Sequence, residues 1–192
     1  MTTRRALLLG GVLAGASLGH MPWAQANPRQ DSPTQQQQRM QGFLRAPRLV
    51  GQHRFTYWGF EVYDASLWAS SEFSPEDWAR QALILELRYL RDFKGADIAQ
   101  RSMDEMQGQR ALNPVQLKSW LDTLQKLIPN VRSGERLTGV YRPDTGMQLL
   151  HQDRLVGEVR DAELAQRFMG IWLAPETSQR QLRQQLLAGA RP

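Results

Sequence analysis

The fold is decided by an aromatic stretch that reads His53-Arg54-Phe55-Thr56-Tyr57-Trp58-Gly59-Phe60-Glu61-Val62-Tyr63. Aromatic and β-branched side chains favour strands, and Gly51 and Gly59 interrupt the run as turn residues do. We therefore predict two or three successive strands that begin near Leu49, with residues 65–68 extending the last of them.

The next apolar stretch, residues 83–90, gives a divided local signal. Leu83, Leu85 and Leu87 alternate with Ile84 and Glu86, and this period of two is typical of a strand with one buried face. Leucine and glutamate favour helices, so propensity indicates the opposite. Local evidence therefore leaves both assignments open.

The remaining elements come in runs of one type. Ser74-Pro75-Glu76-Asp77 has the composition of a helix start. We predict helices over residues 95–110 and 114–128, a three-strand meander over 137–142, 147–152 and 155–160, and two last helices that begin at Asp161 and Ser178. Strands in runs and helices in runs predict one α+β domain, in which helices cover one face of an antiparallel sheet.

The N-terminus predicts export. Arg4 and Arg5 precede an apolar run of 14 residues, and Ala24-Gln25-Ala26 follows, which is the order of a secretory signal. Since a bilayer span needs roughly 20 apolar residues, we expect cleavage after residue 26 rather than a membrane anchor. The predicted organisation is a signal peptide over 1–26, a disordered polar tether over 27–42 and a folded domain over 43–192. The mature protein is expected in the periplasm, through the general or the twin-arginine route.

Composition argues against several classes of function. Loss of Arg4 and Arg5 with no acid lowers the formal charge from +5 to +3, and no basic stripe predicts nucleic-acid binding. The chain has no cysteine, and only His53 and His151 follow the predicted signal. We therefore expect no disulfide and no cysteine- or histidine-built metal site, and the absence of P-loop and dinucleotide-binding patterns predicts no cofactor.

Several separated blocks resemble the bacterial chalcone isomerase-like proteins. They are Leu49-Val50-Gly51, the run from Trp58 to Trp68, Tyr89-Leu90-Arg91-Asp92-Phe93-Lys94-Gly95 and the run from Phe168 to Pro175. The resemblance extends from about Leu49 to Leu187. It implies an open-faced sandwich, with a curved antiparallel sheet under a layer of helices, and it implies a strand over residues 82–90.

The resemblance also implies a cleft between sheet and helices. In the plant enzymes of the superfamily, that cleft binds a chalcone beside a strand arginine, a threonine, and a tyrosine and an asparagine from the helical side. Arg54 is the match for the arginine, Tyr63 stands where the threonine is expected, Ile98 falls at the tyrosine position and Glu105 falls near the asparagine. Loss of one such donor costs about 10²–10³ in rate, so chalcone cyclisation is disfavoured.

These substitutions lead to a hypothesis of ligand binding without catalysis. An arginine pairs well with a carboxylate, and an apolar cleft suits an acyl chain. We expect an acidic, apolar, fatty-acid-like ligand at Arg54, Tyr57, Trp58, Tyr63 and Ile98. One alternative is an isomerase or lyase of small aromatic compounds with Arg54 as the catalytic group, and another is a periplasmic interaction module whose protein partner the sequence does not identify. Arg54 is equally explained by pairing with Glu61 or Glu86 across strands.

Overall fold

The computed structural model describes residues 32–190, so the predicted signal peptide and residues 27–31 lie outside the described residues. Six strands form one antiparallel sheet in the order β1-β2-β3-β4-β5-β6. The strands are β1 Arg48–Tyr57, β2 Phe60–Ala69, β3 Leu83–Tyr89, β4 Arg136–Arg142, β5 Gly146–His151 and β6 Arg154–Val159, and the helices are α1 Pro33–Gln41, α2 Gly95–Gln109, α3 Pro114–Leu127, α4 Ala162–Leu173 and α5 Arg180–Leu186. The predicted α+β fold and the strand over residues 83–89 are confirmed.

The main core lies between the sheet and helices α2 to α5. Leu83, Leu85 and Leu87 of β3 point into it with Met103 and Leu164, as the alternation of strand side chains requires. Helix α5 packs directly on β1, where a Cβ atom at residue 51 would collide with the backbone of α5. Glycine is therefore required at this crossing.

A smaller apolar cluster covers the opposite face of the sheet. Ile84 and Trp68 lie under α1, whose Met40 is 1% exposed. Helix α1 begins with a capping box between Ser32 and Gln35, which satisfies two backbone donors that a helix start leaves open. The predicted disordered tether is therefore wrong for residues 33–41. The helix cap and the burial of Met40 stabilise a helix there in spite of the polar composition.

Charged side chains fasten α1 to the sheet. The Nη1 atom of Arg39 lies 2.8 Å from Oε2 of Glu86 and 2.8 Å from Oδ1 of Asp153. Arg136 of β4 reaches the same Asp153 at 3.0 Å. Glu86 is 5% exposed, and it pairs with Arg39 rather than with Arg54.

A loop replaces the short helix predicted from Ser74. The segment contains one 3-10 turn, Trp78–Arg80. The side chain of Gln81 accepts the N–H of Ser74 at 3.1 Å and donates to its carbonyl oxygen at 2.9 Å. Because the backbone of Ser74 is satisfied in this way, its hydroxyl does not cap a helix and bonds Glu76 instead.

Candidate functional site

An apolar cavity of about 350 Å³ lies between the sheet and the helical layer. This volume falls within the roughly 300–1,000 Å³ typical of small-molecule sites. Strand side chains form its floor, and helices α2 and α4 supply most of its roof. The apolar lining includes Phe55, Leu85, Leu87, Leu137, Leu149, Ile98, Phe168, Met169 and Ile171.

The strand register brings aromatic side chains from the edge strand β1 and its neighbour β2 into the cavity. Phe55 pairs with Tyr63 across β1 and β2, whereas Thr56 pairs with Glu61, so Val62 is an extra residue in β2. Such a bulge shifts the facing of a strand by one position. Both Val62 and Tyr63 therefore line the cavity, together with Phe55 and Tyr57 of β1.

Two buried tyrosines, Tyr63 and Tyr89, carry hydroxyls on the sheet side of the cavity, in addition to the exposed Tyr57. Trp172 of α4 donates its indole N–H to the hydroxyl oxygen of Tyr63 at 2.9 Å. The ring of Tyr89 meets that of Tyr63 edge to face, with 5.9 Å between centroids. Within residues 32–190, neither tyrosine O–H donates a hydrogen bond to an acceptor. The cavity therefore presents two donors that the protein itself leaves unused.

Burial keeps both hydroxyls protonated. It raises the pKa of Tyr63 well above its ordinary value, and the N–H donated by Trp172 only partly offsets this effect. Burial also raises the pKa of Tyr89, and the neighbouring Tyr63 adds to the rise. At neutral pH these groups donate hydrogen bonds and do not act as phenolate bases.

An ion pair from α2 lies at the mouth. Arg101 donates to Glu105 one helical turn later, and Oγ of Ser178 donates to the other oxygen of Glu105 at 2.6 Å. The guanidinium carbon of Arg101 lies 5.3 Å from the ring centroid of Tyr57. These three contacts join β1, α2 and the segment before α5 around one polar rim.

A family model described as chalcone isomerase-like matches residues 51–188. The chain belongs to the chalcone isomerase-like family. An uncharacterized protein of Haemophilus influenzae is 29% identical over 138 residues, which cover 72% of this chain and 66% of that protein, just under two thirds of its length. The crystal structure of an Arabidopsis thaliana fatty-acid binding protein matches with a TM-score of 0.58 at 11% identity, covering 76% of this chain and 89% of that one. This last match is a likeness of fold.

Three of the five predicted site residues line the cavity of this chalcone isomerase-like protein. Tyr57, Tyr63 and Ile98 do so, whereas Arg54 and Trp58 do not. The side chain of Trp58 stands in solvent at the tip of the β1–β2 hairpin and is 84% exposed.

Arg54 lies on the other face of β1, so its assignment as the ligand-binding or catalytic cation is wrong. It pairs with Asp64 through Nε at 2.7 Å and with Glu61 through Nη1 at 2.8 Å. The hydrogen bonds to Asp64 and Glu61 raise the pKa of Arg54. Because Phe55 faces the helices, its neighbour Arg54 must face away from them. Of the two partners that the sequence left open for Arg54, Glu61 and Glu86, the structure shows Glu61.

Arg101 is the cavity cation that sequence reasoning missed. Arg101 and Ser102 lie three and four residues after Ile98, and Glu105 lies four and three residues after them, which places all four on one face of a helix. That spacing was the available signal, but only Ile98 was predicted to bind the ligand, and Glu105 was matched to the superfamily's asparagine position. Tyr89 was also overlooked, although it alternates with the apolar residues of β3.

Within the described range 32–190, no cluster of three or more histidine or acidic side chains could hold a metal ion. No helix in the same range has the length and apolar character that a membrane span needs.

Proposed function

We propose that this protein is a periplasmic, non-catalytic carrier that holds a fatty-acid-like molecule in its cavity. The observation that carries the proposal is an apolar cavity containing two tyrosine O–H groups without an acceptor in the described part of the chain. Such a site offers burial to a hydrocarbon chain and hydrogen bonds to a polar head group.

The tail of the ligand is accommodated by aliphatic side chains. Leu85, Leu87 and Leu149 of the sheet face Met169 and Ile171 of α4 across the cavity. Removal of apolar surface from water contributes roughly 25 cal/mol per Å². A flexible acyl chain gains this contribution without specific polar contacts.

The head group is expected at the end where Tyr63, Tyr89 and Arg101 line the cavity. A carboxylate accepts hydrogen bonds from phenolic O–H groups, and the guanidinium of Arg101 compensates its charge. Arg101 lies close enough to Tyr63 to lower the pKa of the hydroxyl, and the opposing charge of Glu105 raises it. The ligand carboxylate must therefore compete with Glu105 for Arg101.

The same geometry supports binding over ring closure. A chalcone isomerase-type reaction needs a cation beside the developing oxyanion. Arg54 faces the opposite side of the sheet, and the cation that does line the cavity, Arg101, is paired with Glu105. The family resemblance implies that Ile98 stands at the position of the helical tyrosine of the superfamily's enzymes. Tyr63 and Tyr89 keep their protons, so neither supplies a base.

Two further observations support the ligand class and location. The fold neighbour from Arabidopsis thaliana is a fatty-acid binding protein, and its ligand class is carried to this chain as part of the proposal. The apolar N-terminal run between Arg5 and Ala26 has the order of an export signal.

The test is identification of the bound molecule. The protein is purified from its own host without detergent, weighed by native mass spectrometry, and then extracted with organic solvent. We expect a mass excess that disappears on denaturation, together with a carboxylic acid in the extract. Repeated recovery of empty protein that also fails to bind added dodecanoate would contradict the proposal.

A further inference from the structure

The tip of the β1–β2 hairpin, residues 57–60, projects three aromatic rings into solvent. Trp58 is 84% exposed, Phe60 is 60% exposed and Tyr57 is 46% exposed. We call residues 57–60 the aromatic tip. Exposed apolar side chains that occur singly are ordinary, but three within four consecutive residues at one hairpin tip form a cluster.

The backbone holds this tip in place. Trp58 and Gly59 both have positive φ, at 51° and 79°, which is the pattern of a tight hairpin turn. A bulky side chain rarely adopts this left-handed conformation. The strands on either side pair up to Tyr57 and Phe60, so Trp58 is presented at the end of a paired hairpin rather than on a loose loop.

Cations accompany the exposed rings. The guanidinium carbon of Arg91 lies 4.8 Å from the ring centroid of Phe60, and Arg101 stands over Tyr57. Throughout residues 32–190, no carboxylate lies within ion-pair distance of Arg91. Amphipathic aromatic rings and arginines are the side chains that favour the boundary between lipid and water.

We propose that the aromatic tip docks into the head-group region of a bilayer that contains anionic lipid. A protein partner would need about 800 Å² of matching surface, whereas this feature is a narrow projection that suits insertion between head groups. Arg91 supplies charge complementarity to anionic lipid.

The aromatic tip adjoins the cavity, which suggests a role for docking. The ring of Tyr57 belongs to the aromatic tip and also lines the cavity. A docked tip therefore brings the cavity mouth to the lipid surface, where an apolar ligand transfers without crossing water. This last step rests on the proposed function, whereas docking itself does not.

The test is flotation of the protein with vesicles. The vesicles consist of equal parts phosphatidylethanolamine and phosphatidylglycerol, and a parallel series contains phosphatidylcholine alone. The variant W58S/F60S removes two rings that do not line the cavity, and L155S removes an exposed leucine from β6 at the opposite edge of the sheet. Melting curves of each variant check that the fold is retained.

We expect W58S/F60S to bind the anionic vesicles at least about tenfold more weakly, because two apolar rings no longer leave water. L155S should bind as the unaltered protein does. R91Q should lose about fivefold on the anionic vesicles and little on phosphatidylcholine. Brominated lipids should quench the fluorescence of the unaltered protein more than that of W58F, which keeps an apolar ring.

Three results would overturn the docking proposal. They are absence of binding to both kinds of vesicle, binding that W58S/F60S leaves unchanged, and an equal loss in L155S. Absence of binding to both kinds of vesicle would instead favour a protein as the partner of the aromatic tip. Titration of W58S/F60S with dodecanoate in solution separates docking from the proposed function, since that affinity should stay the same.

Discussion

Arg101 of α2 stands over the ring of Tyr57 of β1, with 5.3 Å between the guanidinium carbon and the ring centroid. This contact closes the mouth of the cavity between the helical layer and the edge of the sheet. It also explains why Arg101 can serve the cavity although much of its side chain is exposed. The stem of an arginine packs along apolar surface while its head group stays near water.

The first prediction concerns Arg101 as the partner of the ligand carboxylate. Arg101→Gln should weaken dodecanoate binding about tenfold, because a hydrogen bond to a charged group contributes roughly 1.5–3 kcal/mol and this one is partly exposed. Dodecanol should bind the variant and the unaltered protein alike. Arg54→Gln is the matched control, since Arg54 faces away from the cavity. Calorimetric titration of the unaltered protein and both variants measures these affinities. An equal loss of dodecanoate affinity in Arg54→Gln would contradict this role of Arg101.

The second prediction concerns the competing carboxylate of Glu105. Glu105→Gln removes a negative charge beside the expected head group and releases Arg101, so dodecanoate should bind about fivefold more tightly. Dodecanol affinity should change little. Titration at low and high salt provides a check, because the gain should shrink as salt screens the charges. A weaker affinity for dodecanoate in this variant would place the head group elsewhere.

The third prediction concerns the buried hydrogen bond between Trp172 and Tyr63. Tyr63→Phe keeps the ring but leaves the indole N–H of Trp172 without its acceptor, which should cost about 1–3 kcal/mol of unfolding free energy. Tyr89→Phe is the matched control, because its O–H donates no hydrogen bond to an acceptor within residues 32–190. It should cost less than Tyr63→Phe or stabilise the fold. Urea denaturation gives both values, and the reverse order would show that the Trp172 contact contributes little.

The fourth prediction concerns acid and the attachment of α1. Burial raises the pKa of Asp153, but the hydrogen bonds and charges of Arg39 and Arg136 outweigh it and hold the pKa below the ordinary value of 3.8. The folded-state pKa is thus the lower one. The stabilisation is therefore complete above about pH 3.8 and is lost as pH falls through the folded-state value.

Asp153→Asn should flatten this acid-dependent loss of unfolding free energy. Asparagine tolerates the positive φ of 66° that Asp153 adopts, so the turn should survive. Asp122→Asn, which alters an exposed helical pair with Lys118, should leave the acid profile as it is. Denaturant titrations at several pH values measure the slopes. Identical slopes in Asp153→Asn and the unaltered protein would rule out this origin of acid sensitivity.

Period and turn chemistry were sufficient for most of the fold. At Leu83, Leu85 and Leu87, alternation indicated a strand and propensity indicated a helix, so the strand that the structure confirms was predicted from the family resemblance. Helix α3 begins at Pro114 behind the cap Asn113, as its sequence predicted. Helix caps and turns of this kind are determined by residues close together in the sequence, so a single sequence is enough to predict them.

The site depended on information that the sequence does not carry locally. Whether Arg54 or Phe55 faces the cavity is set by the pairing of β1 with β2 and by the extra residue Val62. A one-residue change in register reverses the facing of every side chain, so spacing from Gly51 could not decide it. Arg101 was accessible from helical periodicity, but its approach to Tyr57 is a contact between distant segments.

Helix α1 shows the limit of composition. The four-glutamine run of residues 35–38 and the two prolines before it, Pro28 and Pro33, suggested disorder. The capping signal of Ser32 and Gln35 was present in the sequence, and the partners of Arg39 and Met40 lie on strands far along the chain. Tertiary contacts therefore decide this segment.

The central claim is tested most directly by titrating dodecanoate into the protein and into Ile98→Trp, which fills the cavity from α2. Val115→Trp, on the exposed side of α3, is the control for the added ring. We predict saturable one-to-one binding to the unaltered protein and to Val115→Trp, and at least about tenfold weaker binding to Ile98→Trp with its melting temperature retained. Undiminished binding to a folded Ile98→Trp, or no saturable binding at all, would contradict the account.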